Sequence, residues 1–174
     1  IVWNRPAFPE NSQHYYYDQM ISINGAKSKM VGGYSTDNYT DWALEFIEGK
    51  QRAADKPWYL WLCYGAVHSP FTPAKRHLGE YPGVSVPIPR DVYPPRSGKP
   101  DWMQKIEFWI KGKRGLPVLK GAAGSANAQK TLPEWVRQYH QGVLALDESV
   151  GRLMASLKKT GQLDNTLVVF TADQ

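Results

Sequence analysis

Hydrophobic and polar positions along the chain follow two regimes. In STDNYTDWALEFIEGK, residues 35–50, the side chains Tyr39, Trp42, Ala43, Phe46 and Ile47 return at helical spacing, which predicts a helix. Ser35, Thr36 or Asp37 can cap its start, and Gly49 suits its end. A longer helical pattern runs from about Pro133 to Thr160, with Trp135, Val136, Tyr139, Val143, Leu146, Val150, Leu153, Met154 and Leu157 along one stripe. Pro133 fits a first-turn position, Lys158 and Lys159 complement the negative helix end, and Gly161 stops it. The second regime has no alternation. WYLWLCY, Trp58 to Tyr64, and TLVVFT, Thr166 to Thr171, are apolar almost throughout and too short to be helices, which predicts strands covered on both faces. The order helix, strand, loop, helix, strand predicts an α/β fold with a mostly parallel sheet flanked by helices.

The remaining stretches read as turns and connections. Residues 1–33 suggest loop and short strands, with Asn24-Gly25 placed for a type I′ hairpin turn. GAVHSPFTPAKRH, residues 65–77, is too rich in Pro, Ser and Thr to continue a central strand, so it predicts a loop beyond the strand's carboxyl end. Residues 79–132 have the character of a variable, Pro-rich and basic insertion. YPGVSVPIPRDVYPPRSGKPDW carries six prolines and predicts an extended surface loop, WMQKIEFWI allows one or two helical turns, and KGAAGSANAQK is small and polar enough to be mobile.

Composition narrows the class. The chain has 174 residues, 42% hydrophobic and 13% aromatic, enough for one sizeable core within a single domain or a large piece of one. No apolar stretch approaches the roughly 20 residues a membrane helix requires, so no membrane partner is expected. A single cysteine, Cys63, excludes an intrachain disulfide framework, and its apolar neighbours predict a buried small hydrophobe. The net charge of +5 is regional: Lys75 to Lys130 holds 11 Lys and Arg against 4 Asp and Glu.

Ligands of open α/β sheets bind beyond the carboxyl ends of strands, which directs attention to His68-Ser69-Pro70 and Asp173-Gln174. An imidazole can hold an anionic oxygen. A carboxylate beside an amide oxygen offers two hard ligands for Ca²⁺ or Mg²⁺. Against this stand ordinary roles: a loop histidine bonded to backbone, and a strand-end aspartate that serves as a turn or cap.

At these residues the chain resembles a known family. TDNYTDWALEFIEG, then KPWYLWLCYGAVHSPFTPAKRH, then YHQGVLALDESVGRLMASLKKTGQLDNTLVVFTADQ are similar, in that order, to the middle of a type I sulfatase of the alkaline phosphatase superfamily. The resemblance covers residues 32–78 and 133–174. It implies a partial alkaline-phosphatase-like fold, hydrolysis of a sulfate ester, and periplasmic or secreted residence. It further implies that His68 hydrogen-bonds the substrate sulfate and that Asp173 and Gln174 bind a divalent cation, usually Ca²⁺. Gln174 stands where the family more often has Asn or His. The family's nucleophile is a formylglycine made in a Cys/Ser-x-Pro-x-Arg motif, and Cys63, followed by YGAV, does not fit it. No catalytic nucleophile is therefore expected among residues 1–174, which read as the central slice of a longer enzyme and as inactive alone.

Three further features carry structural readings. Asp147 reads as a solvent-side helix charge near Arg152. The basic region reads as a solvated face or as a surface for a polyanionic sulfated substrate. WIKGKRG mixes aromatic and basic residues, yet no nucleic-acid-binding module accompanies it, so no nucleic-acid partner is expected. The alternatives are a phosphodiesterase or phosphonate hydrolase of the same superfamily, a non-catalytic module binding sulfated polysaccharide, and a purely structural domain.

Overall fold

A computed structural model describes residues 15–50, 52–121 and 129–172. Its elements, in chain order, are β1 (Tyr17–Ile21), β2 (Lys29–Tyr34), α1 (Ser35–Ile47), α2 (Asp101–Gln104), β3 (Trp109–Lys111), β4 (Pro117–Leu119) and α3 (Leu132–Lys159), with short 3-10 turns between. The chain divides into two units, residues 1–66 with 144–174, and residues 67–143.

In the first unit β1 and β2 pair antiparallel, from Tyr17 opposite Tyr34 to Ile21 opposite Lys29. Asn24 and Gly25 both have positive φ, 54° and 76°, as a type I′ turn requires, and the Ala26 N–H closes it on the Ile23 carbonyl at 3.0 Å. Tyr16 stacks on Tyr34 at 5.9 Å, and the core continues through Ile21, Tyr39, Ala43 and Ile47. The α1 stripe is narrower in apolar residues than expected, because Ser35, Thr36 and Thr40 share its buried face while Trp42 and Phe46 are half-buried. Thr40 is satisfied locally, donating to the Thr36 carbonyl at 2.7 Å.

The capping residue also differs. Tyr34 occupies the N-cap and no side chain caps the helix; the Ser35 N–H donates to the Tyr16 carbonyl instead, at 2.8 Å. Gly49, with φ 95°, ends the helix as expected. The last carbonyls of α1 are met by Arg52, whose Nε donates to Phe46 O (2.9 Å) and whose Nη2 donates to Ile47 O (3.2 Å). Gln162 completes this cluster. Its Oε1 accepts from Arg52 Nη2 and Trp58 Nε1, each at 3.0 Å, and its Nε2 donates to Ile47 O (2.9 Å) and Thr160 Oγ1 (2.7 Å).

The two apolar runs are not paired as strands among the described residues. Neither Trp58–Tyr64 nor Thr166–Thr171 joins a ladder, and both ladders among the described residues are antiparallel and two-stranded. The runs are also not covered on both faces: Tyr59 is 81% exposed, Trp61 79%, Leu167 89% and Val169 74%. Apolarity alone does not bury a strand; a neighbour must satisfy its N–H and C=O groups. Cys63 is half-buried.

The second unit organises its Pro-rich stretch around one side chain. Arg96, 9% exposed, donates to the carbonyls of Asp91 (2.7 Å), Val92 (3.0 Å), Met103 (2.8 Å) and Ile106 (2.5 Å). Prolines cannot donate, so side-chain donors replace a ladder here. The segment WMQKIEFWI divides: its first part lies in α2, and its end enters β3, which pairs antiparallel with β4 through Ile110 opposite Val118. Most of KGAAGSANAQK lies outside the described residues.

The long helix α3 spans 28 residues, close to the expected bounds. Its start is a capping box absent from the expectation, although Thr131-Leu132-Pro133-Glu134 carries the pattern. Thr131 N–H and Oγ1 each donate to Glu134 Oε2 at 2.7 Å, and these bonds hold the Glu134 carboxyl below its ordinary pKa. Along α3 the most buried positions are small or polar, Gln141, Gly142, Ala145, Ser149 and Ser156, together with Leu157, whereas Tyr139 and Val143 are exposed. The buried line is therefore offset from the predicted stripe, because small side chains allow close approach. Arg152 pairs with Asp41 at 2.5 Å rather than with Asp147, which is exposed.

Candidate functional site

The loop that carries His68 is anchored on both sides of the imidazole. Before it, Tyr64 ends the apolar run with its hydroxyl 2.9 Å from Thr40 Oγ1 and in hydrogen-bond contact with Ser149; burial, partly offset by these bonds, raises its pKa. Within the second unit, Val67 lies against α3 at Gly142, where an added Cβ would meet Val67 Cγ1 at 2.9 Å. Glycine costs a helix about 1 kcal/mol relative to alanine, so its presence here is explained by that close approach.

Beyond the imidazole, the Phe71 N–H turns back onto the His68 carbonyl at 3.0 Å, and Ser69-Pro70 is cis. Phe71 has φ 55°, a conformation that costs a non-glycine residue about 1 kcal/mol or more. Its ring offsets that strain by packing edge-on against Trp135 at 4.7 Å and Tyr139 at 5.5 Å. Between these anchors His68 is exposed, with Nδ1 2.6 Å from the Ser69 carbonyl oxygen. If Nδ1 carries the proton, Nε2 is an acceptor in the neutral ring and a second donor in the cation. Only the cation can then present an N–H from Nε2 to an anion.

The loop is followed by a 3-10 turn, Lys75–His77, in which Lys75 and Arg76 are exposed and His77 is buried. Gln141 ties the next residues to α3 by donating to the carbonyls of Leu78 (3.0 Å) and Glu80 (2.9 Å). Asp173 and Gln174, the expected cation ligands, lie outside the described residues. Among the described residues no group of three or more His, Cys, Asp or Glu side chains is arranged to hold a metal ion. No helix there is long and apolar enough to cross a membrane.

Phe71 and Gly142 escaped the sequence reading. An isolated glycine within a strong helical pattern was a usable signal. The left-handed backbone of Phe71 had none.

The geometry gives an exposed imidazole on an anchored loop, and comparison with known proteins supplies its setting. The sequence pattern of the sulfatase family matches residues 2–174. The chain belongs to the sulfatase family. This places it among type I sulfatases of the alkaline phosphatase superfamily, with an α/β fold. The N-acetylglucosamine-6-O-sulfatase of Bacteroides thetaiotaomicron is 30% identical, over 95% of this chain and 37% of that protein. Human N-acetylglucosamine-6-sulfatase is 26% identical, over 96% of this chain and 28% of that protein. A solved structure described in complex with its substrate, D-glucosamine-2-N,6-O-disulfate, superposes with a TM-score of 0.68 at 25% identity, covering 89% of this chain and 40% of that one. The chain thus spans well under half the length of these sulfatase relatives.

Proposed function

We propose that residues 1–174 form the central segment of a sulfatase catalytic domain whose complete enzyme hydrolyses the 6-O-sulfate ester of a glucosamine or N-acetylglucosamine unit. The family match over residues 2–174 carries this reading, and the names of its relatives supply the substrate class. The anchored His68 loop supports it: an exposed imidazole held by Phe71 and Val67 can meet a sulfate oxygen without reordering the chain.

In this reading a ring N–H of His68 donates a hydrogen bond to an oxygen of the substrate sulfate, where negative charge grows as the sulfur–oxygen bond breaks. Asp173 and Gln174 contribute a carboxylate and an amide oxygen, a donor set suited to a hard divalent cation such as Ca²⁺. Such a cation, when bound, would supply positive charge that stabilises a developing anion. The nucleophile is a formylglycine contributed by residues other than these. Trp58–Tyr64 and Thr166–Thr171 serve as strands of a mostly parallel sheet completed by further chain, and the enzyme works in the periplasm or outside the cell.

The test uses the longer polypeptide that carries these residues, purified and assayed for sulfate release from N-acetylglucosamine 6-sulfate and for phosphate release from the matching 6-phosphate. Release of sulfate in preference to phosphate, with His68→Ala lowering kcat/KM on the order of 100-fold, is the expected result. Hydrolysis of the phosphate ester alone would replace the sulfatase reading, and an unchanged kcat/KM for His68→Ala would remove His68 from the site.

A further inference from the structure

We propose that the second unit carries a subsite, formed by Tyr93, Trp109 and Lys111, that receives an additional anionic sugar ring of an oligosaccharide substrate; the sugar class rests on the function proposed above. The observation is a cleft of about 250 Å³ lined by Tyr93, Pro94, Glu107, Trp109, Ile110 and Lys111. Small-molecule sites usually exceed about 300 Å³, so this volume suits one ring and not a chain of rings.

Its walls have the chemistry of a sugar platform. A pyranose presents C–H groups on its faces and hydroxyls on its rim, so it is held by an aromatic surface with polar groups beside it. Trp109 and Tyr93 supply aromatic surface, and Trp109 is braced by an edge contact with Trp135 at 6.2 Å. The Tyr93 hydroxyl itself is buried out of a ligand's reach, so Tyr93 offers its ring and Lys111 the polar group beside it.

Charge decides which ring is preferred. Lys111 lies over Tyr93, its Nζ 5.7 Å from the ring centroid. At an exposed site that contact is worth only about 0.5–1 kcal/mol, so an arriving anion can capture the ammonium at little cost. Glu107 would oppose an anion, but Lys120 pairs with it at 2.8 Å and cancels its charge. Lys113 and Arg114 add positive charge in the turn between β3 and β4.

The cleft is also preformed. Arg96 bonds the carbonyls of Asp91 and Val92 on one flank and those of Met103 and Ile106 on the other, so the segments bearing Tyr93 and Glu107 are fixed before any ligand arrives.

The experiment compares three substrates of the longer polypeptide: a glucosamine disaccharide sulfated on both rings, the same disaccharide sulfated on the cleaved ring alone, and 4-nitrophenyl sulfate. Trp109→Ala is expected to raise KM for both disaccharides on the order of tenfold and to affect 4-nitrophenyl sulfate far less. Lys111→Ala is expected to remove the preference for the doubly sulfated disaccharide and nothing else. Calorimetric titration with the doubly sulfated disaccharide reads the same losses as affinity, so the subsite is decided even if no sulfate ester is turned over, which would overturn the sulfatase reading separately. Should Trp109→Ala lower the melting temperature, the exposed Lys111→Ala decides alone. Disaccharide affinity and KM within twofold of the parent in a stably folded variant would overturn the subsite.

Discussion

Around Arg96, a stretch with little regular secondary structure is held by one buried guanidinium that donates to four carbonyls. Around Trp58–Tyr64, seven mostly apolar residues run without a ladder, and two of their largest side chains stand in water. The difference teaches where order comes from in this chain. Backbone polar groups that find donors close by in sequence are fixed even among prolines, while backbone that needs a neighbouring strand is not secured by its own side chains.

The comparison breaks most sharply at Arg96. Arg96→Ala leaves several carbonyls without donors and is expected to destabilise the second unit by on the order of 4 kcal/mol, measured by denaturant unfolding. Arg96→Lys, a point donor in place of a fork, should recover little of it. On the opposite side, Val169→Asp asks whether the exposed run is covered in the longer polypeptide. Pairing and coverage there predict a loss of about 2–3 kcal/mol, whereas an exposed position predicts a change within about 0.5 kcal/mol.

Gly142→Ala sharpens the picture at the His68 loop. The new methyl meets stiff, β-branched Val67, so a net cost of about 1–2 kcal/mol is expected despite the better helix propensity. Under the function proposed above, KM for the sulfate ester should rise as the loop shifts. The smallest effect belongs to the capping box: Glu134→Ala should cost about 1 kcal/mol at neutral pH. Because the folded Glu134 carboxyl is held below its ordinary value of 4.5, its contribution is complete above that pH and fades as pH falls through the lowered folded value. The gap between the melting curves of parent and variant should therefore narrow as pH is lowered from 7 into the acid range.

Several elements were legible in the residues. The Asn24-Gly25 turn, the end of α1 at Gly49 and the extent of α3 follow from local rules, and the structure keeps them. Local rules stop short where tertiary contacts choose. Trp58–Tyr64 has the composition of a covered strand, but composition does not say whether a partner strand is present. The α3 stripe shifted because Gly142, Ala145 and Ser149 admit close neighbours, which hydrophobicity ranks below Tyr139 and Val143. Arg96 gave no signal, since a guanidinium serving four carbonyls looks in sequence like any other basic residue of the insertion. At the site, His68 could be read as a loop residue from the prolines and polar residues after Tyr64, while the inward hold of Phe71 depends on Trp135 and Tyr139, far along the chain.

Gln162 has spent its whole capacity for hydrogen bonding. Its oxygen accepts two hydrogen bonds and its nitrogen donates two, so no valence is left idle. The nearest chemical substitutes each fail for a different reason: Glu forfeits both donations, Asn falls a methylene short, and Met keeps the length but loses all four links. Anyone recoding this segment would do well to leave that codon untouched.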